Sequence, residues 1–298
     1  MFCNNDNKKG GNNLNGTIPE EIEHFKRLDT LVLWYNNIFG EIPESFYNLV
    51  GMRGLALSFN ALTGTLSSSI GKLRNMQVFM MRNNQLEGSI PTSIGNLDKL
   101  TGIDLSHNNF NGTIPSTMEL LTNLNSMNMA YNMISGTIPD IFDNFQVLKQ
   151  LLLTRNELNG TIPSSMWRLS ALETLVLNEN ALSGELSDEI ENLNSLNMLV
   201  LSSNRFNSTI PFGIGSLSNL KWMTMAENEI SGYLPPSMGN LSNLSDLHLN
   251  ENKLKGEIPS FIGDLVNLET LLLGDNAFTG AVPSSLEQLT NLSKSFEY

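Results

Sequence analysis

His24, His107, His248 and the single cysteine, Cys3, are the side chains best suited to ligating a metal or attacking a substrate. Two-histidine ligation needs close neighbours, and long stretches of chain separate these three. Asp246 and His248 stand two apart, which on a strand puts both on one face and allows a hydrogen-bonded acid–base pair. No nucleophile motif accompanies that pair. The chain has no GxSxG, no phosphate-binding glycine loop, no GxGxxG after a strand and no kinase signature. A lone cysteine provides neither an internal disulfide, nor a CxxC redox pair, nor a cysteine zinc cluster. An enzyme is not expected, and neither is a metal or a cofactor.

The 298 residues carry 17 Lys and Arg against 30 Asp and Glu, a formal charge of −13. That balance argues against a nucleic-acid binder, which needs a basic surface to displace counterions. No apolar run approaches 18 residues, so no membrane-spanning segment is expected. The opening, MFCNNDNKKGGNN, lacks the apolar centre of a secretory signal. Asparagine is the outlying residue type, with 40 copies.

A repeat accounts for many of them. Asn36, Asn60, Asn84, Asn108, Asn132, Asn156, Asn180, Asn204, Asn228, Asn252 and Asn276 are each 24 residues apart, and fixed self-similarity of this kind decides a fold before any helix or strand is read. The unit reads LxxLxLxxNxLxGxIPxxIGxLxN. Eleven full units occupy 28–291, a partial unit 14–27 precedes them and a fragment 292–298 follows. Leu–x–Leu, as at Leu31 and Leu33, has the period of a short strand with one buried face. The asparagine leaves the strand with two donors and an acceptor, enough to satisfy its own turn and the neighbouring coil. A glycine column from Gly40 to Gly280, broken at Ser208, marks a tight backbone position. Ten of the eleven prolines share one slot, broken at Ser67 and Ser187. These columns are assigned to the fold.

The unit resembles the plant-type leucine-rich repeat, over about residues 14–292. Receptor-like kinase ectodomains, receptor-like proteins and polygalacturonase-inhibiting proteins carry that repeat. The resemblance implies an α/β leucine-rich repeat solenoid, a curved right-handed coil with a concave parallel β-sheet and a convex side of loops and 3-10 turns. Strands about 4.8 Å apart would make the sheet roughly 50 Å long. It also implies a non-catalytic recognition module that binds a protein, peptide or glycan on the concave face. The alternatives are an inhibitor similar to the polygalacturonase-inhibiting proteins and an ice-binding solenoid. The last rests on the threonine slot before Ile-Pro (Thr17, Thr65, Thr113, Thr137, Thr161, Thr209), which Glu41, Glu185, Tyr233 and Glu257 interrupt.

The positions that LxxLxLxx leaves free project from the concave sheet. Their last column reads Tyr35, Phe59, Asn83, His107, Tyr131, Arg155, Glu179, Ser203, Glu227, Glu251 and Asp275. With Trp34, Met80 and Arg82, the aromatic and basic members make an area of hot-spot composition. Trp34 and Tyr35 serve equally well as cover for the first coil. Over all five free columns, units one to six carry four basic and two acidic residues, and units seven to eleven one and seven. The acidic half suits either solubility or the steering of a basic partner. The expected ligand-facing residues are therefore Trp34, Tyr35, Phe59, Met80, Arg82, His107, Tyr131, Arg155, Glu179, Glu227, Glu251 and Asp275.

Seven glycosylation sequons occur, at Asn15, Asn111, Asn159, Asn207, Asn240, Asn243 and Asn291. So many asparagines supply about that number by chance, so the count is no argument for secretion. The first four share one slot on the loop side. The resemblance implies an extracellular or cell-surface setting, while the opening residues leave the cytoplasm open. Cysteine-paired caps usual in the family are missing, which makes end-on pairing of the terminal coils, or a fragment of a longer receptor, an expectation too. Residues 1–13 are polar enough to be disordered.

Overall fold

The structure, a computed structural model, describes residues 11–293. Cys3, most of the polar start and residues 294–298 lie outside the described residues. The chain divides into two compact units, one ending at Ser135 and the other beginning at Gly136. One coil plan builds both.

In the first unit, Thr30–Val32, Gly54–Ala56, Val78–Met80, Gly102–Asp104 and Ser126–Asn128 form parallel strands. Neighbours pair in strict 24-residue register, Leu31 opposite Leu55 and Phe79 opposite Ile103. Parallel strands require a crossover, and here it is very short. The chain turns, runs extended through Ile-Pro and makes a single 3-10 turn such as Glu44–Asn48 or Thr92–Asn96. Five residues are too few to nucleate an α-helix, and the preceding proline (Pro43, φ −65°) holds the entry extended. Leu55, Phe79, Ile103 and Met127 on the strands meet Ile70, Ile94 and Met118 from the 3-10 turns, all fully or almost fully buried. In the second unit, Gln150–Leu152, Thr174–Val176, Met198–Val200, Trp222–Thr224, Asp246–His248 and Thr270–Leu272 repeat the arrangement. The architecture is a leucine-rich repeat solenoid of parallel strands and 3-10 turns.

The asparagine ladder is present and complete in its chemistry. Asn84 donates to Met81 O of its own coil and Leu57 O of the preceding one, both at 3.0 Å, and accepts from Leu62 N at 3.0 Å. Asn108, Asn204 and Asn252 repeat the set. Backbone groups that a turning chain would orphan are thus satisfied inside. A second ladder runs along the 3-10 side. There Asn75, Asn123, Asn219, Asn243, Asn267 and Asn291 each donate to a carbonyl 25 residues back.

The glycine column is left-handed as well as crowded. From Gly40 to Gly280 its φ lies between 73° and 87°. A Cβ at Gly184 would sit 2.7 Å from Thr161 Cγ2, and one at Gly40 3.0 Å from Thr17 Cγ2. Threonine methyls in the slot before Ile-Pro therefore pack against the next coil's glycine. Ser208 is absent from the left-handed set, and its Oγ instead accepts from Leu186 N at 3.1 Å.

The proline column's two breaks also have a local cause. Tyr47 and Trp167 occupy a 3-10 slot that holds glycine or an acid in other coils, and both are buried. Ser67 and Ser187 follow them by 20 residues each. A bulky ring in one coil coincides with the loss of proline in the next. Each serine instead accepts a capping bond, from Ser69 N and from Glu189 N, both at 3.1 Å. Burial pushes the Tyr47 phenol up to about 12, while the Ser67 backbone beside it acts in the opposite direction.

Candidate functional site

The residue before each ladder asparagine is the hinge between strand and turn. All eleven, Tyr35 to Asp275, have φ between 52° and 59°. That left-handed region is strained for side chains with a Cβ and worst for β-branched ones. None of the eleven is valine, isoleucine or threonine. Within each unit the conformation keeps these side chains in a row along the open sheet face.

In the first unit the row assembles itself. Tyr35 stacks on Phe59 with centroids 4.0 Å apart and planes within 7°. His107 stacks on Tyr131 at 4.2 Å and 10°. Asn83 interrupts the rings between them, and Arg82 bridges the gap. Its guanidinium carbon lies 5.6 Å from the Phe59 centroid, and Nη2 is 3.5 Å from His107 Nε2. Trp34 leans on Tyr35 at 6.1 Å and 58°. Met80 lies in register between Ala56 and Asp104. Trp34, Tyr35, Phe59, Met80, Arg82 and His107 are consequently half-buried, and Tyr131 is exposed.

The stacking alters what these rings offer. Faces in the middle of the row are spent on each other, so the row presents ring edges rather than open faces. A sugar that stacks on an aromatic face finds little room there. An extended chain that supplies carbonyls, carboxylates or apolar side chains meets both donors and apolar edges.

In the second unit the row is charged. Arg155 pairs with Glu179 at 3.6 Å, and Lys149 with Glu173 at 2.7 Å on the neighbouring column. Glu227 accepts from Ser203 Oγ at 2.7 Å. Glu227, Glu251 and Asp275 are exposed. Trp222, outside the column that the sequence singles out, is 37% exposed on the same face. His248 packs against it in a T-shaped contact, centroids 5.8 Å apart, and Asp246 accepts from Ser245 Oγ at 2.6 Å. The one sequence signal for Trp222 is its place two residues after Leu220 in the unit, a free strand position.

Among the described residues, no group of three or more His, Cys, Asp or Glu side chains is placed to hold a metal ion, and no helix is long and apolar enough to cross a membrane. All seven sequon asparagines are exposed. Asn243 and Asn291 commit their amides to the ladder on the 3-10 side, to Ser218 O and Val266 O.

A parallel-strand solenoid with an open, side-chain-rich sheet face is a scaffold for recognition along its length. The chain belongs to the leucine-rich repeat family: the family pattern matches residues 27–49, 75–97, 99–121, 123–145, 171–193, 243–265 and 267–289, more than half of the sequence. No curated protein matches it. Among solved structures it is similar to the plant peptide hormone receptor RGFR1 in complex with RGF2, at 33% identity and a TM-score of 0.72 over 94% of this chain and 52% of that one. The Arabidopsis receptor kinase HAESA, in complex with the peptide hormone IDA and the co-receptor SERK1, is similar at 29% and 0.81, over 96% and 56%. A plant ice-binding protein is similar at 25% and 0.62, over 91% and 79%. The chain thus spans about half the length of the receptor ectodomains it resembles.

Proposed function

We propose that the chain is a ligand-binding leucine-rich repeat module that takes an extended peptide or peptide-like protein segment on its open sheet face. The observation that carries this reading is the row Tyr35–Phe59–Arg82–His107–Tyr131, in which apolar edges and hydrogen-bond donors are fixed in line before any ligand arrives. Side chains already stacked lose little rotamer freedom on binding. The plant receptor ectodomains with bound peptide hormones support the same reading, and with it an extracellular setting. Little in the row favours a glycan, since its stacked faces are taken.

An ice-binding role has one point in favour, the likeness to a plant ice-binding protein. The threonine array argues against it. The methyls of Thr17, Thr65, Thr137, Thr161 and Thr209 are turned into the coil stack, against Gly40, Gly88, Gly160, Gly184 and Gly232.

A random extended-peptide library panned on the wild-type chain tests the proposal. Selected peptides should bind a Phe59→Ala, Arg82→Ala, Tyr131→Ala variant at least about tenfold more weakly, the loss expected of aromatic and arginine hot spots. The variant's unfolding midpoint should stay within a few degrees of wild type. Undiminished binding, or a loss of binding that follows a collapse in stability, would refute it.

A further inference from the structure

Trp222 is the exposed aromatic of the second unit's sheet face. On one side its strand neighbour is Met198 and on the other Asp246. Adjacent parallel strands lie about 4.8 Å apart. A cation seated over the indole, within about 6 Å of its centre, is therefore within ion-pairing reach of the Asp246 carboxylate.

The surroundings are acidic and unneutralised. Lysine and arginine partners occupy Glu173 and Glu179, yet none of Glu227, Asp246, Glu251, Glu269 or Asp275 takes part in an ion pair with Lys or Arg among the described residues. Glu227, Glu251 and Asp275 follow one another along a single row. Like charges on adjacent coils repel one another. Lys221 is the one lysine or arginine on this face from the seventh unit onward, and His248 lies against Trp222. The chain itself shows the geometry that a cation would use here: Arg82 over Phe59 and Lys255 over Tyr233, each 5.6 Å from the ring centre.

We infer that Trp222 and Asp246 form a subsite for an arginine or lysine side chain of an extended basic peptide. The indole face takes the cation and the carboxylate neutralises it. The carboxylates of Glu227, Glu251 and Asp275 add a negative field that favours the other basic side chains of the same peptide. This rests on the sheet face being the ligand face, and it gives the second unit's own sheet face a charge preference.

The test uses tetra-arginine and tetra-glutamate as probes, with affinities measured by calorimetry on the full chain at low and physiological salt. Tetra-arginine should bind and tetra-glutamate should not. Trp222→Ala should weaken tetra-arginine about two- to fivefold, the range of a cation–aromatic contact at an exposed site. Asp246→Asn should weaken it about threefold or more, while Glu185→Gln, the same change of charge outside this face, should leave it within about twofold. Circular dichroism of each variant guards against misfolding. No binding by the wild type, an unaffected Trp222→Ala, or equal losses from Asp246→Asn and Glu185→Gln would overturn the inference. Peptides that still depend on Phe59, Arg82 and Tyr131 would then leave the broader reading standing.

Discussion

A left-handed backbone costs a residue with a Cβ about 1–2 kcal/mol, and this chain accepts that strain at one slot in every coil. The repetition makes the strain a requirement of the fold, because the turn after each strand cannot be made otherwise. What varies is which side chain the slot carries, and there the chain places rings and Arg82's neighbours in one unit and carboxylates in the other. Asn83, which makes no side-chain bond in the row, isolates the backbone term. Asn83→Gly should leave stability unchanged or raise it slightly, and Asn83→Val should lower it by roughly 1–2 kcal/mol in urea unfolding. Equal stabilities would show that the left-handed turn is not a constraint. The slot was legible in the sequence as a surface column, but its conformation was not. Nothing in eleven unlike residues announces a shared φ except the absence of β-branched types.

At the scale of one coil, neighbouring repeats decide each other's residues. Thr161 meets Gly184, and Tyr47 stands where Ser67 replaces proline. Restoring proline with Ser67→Pro should destabilise the chain, and Tyr47→Gly should lower the cost of that change, a coupling of about 0.5–3 kcal/mol. Independent, additive effects would separate the two positions. Tyr47 also sets an alkaline limit. With its phenol held to about 12 against an ordinary 10, the folded chain keeps a proton that the unfolded chain releases. Stability is therefore intact below pH 10 and falls as pH rises from 10 to 12, by on the order of 3 kcal/mol from this group. Tyr47→Phe should flatten that decline. The strands, the ladder and the 3-10 side were all legible, because 24-residue columns of leucine, asparagine, glycine and proline each have a single physical use. Ser67 and Ser187 read as tolerated exceptions in the sequence; the structure puts Ser67 beside the buried Tyr47 phenol, and Ser187 follows the buried Trp167 at the same spacing.

Across the molecule, the fold is written many times over and the site once. Repetition makes the solenoid readable from one sequence, while a ligand surface consists of whatever does not repeat. Tyr35, Phe59, His107 and Tyr131 stood out as exposed aromatics, yet their composition could not show that they stack on each other and offer edges. Trp222 lies on another column of the second unit's sheet face, outside the one that the sequence singles out. The division into two compact units has no counterpart in the uninterrupted register. The central claim is that recognition occurs on the open sheet face, and hydroxyl-radical footprinting with a selected peptide tests it most directly. Bound peptide should protect Phe59, Met80 and Tyr131 from oxidation while Phe25, Leu120 and Tyr233, exposed elsewhere, react as in the free chain. Protection of Phe25, Leu120 or Tyr233 with the sheet-face residues unchanged would contradict it.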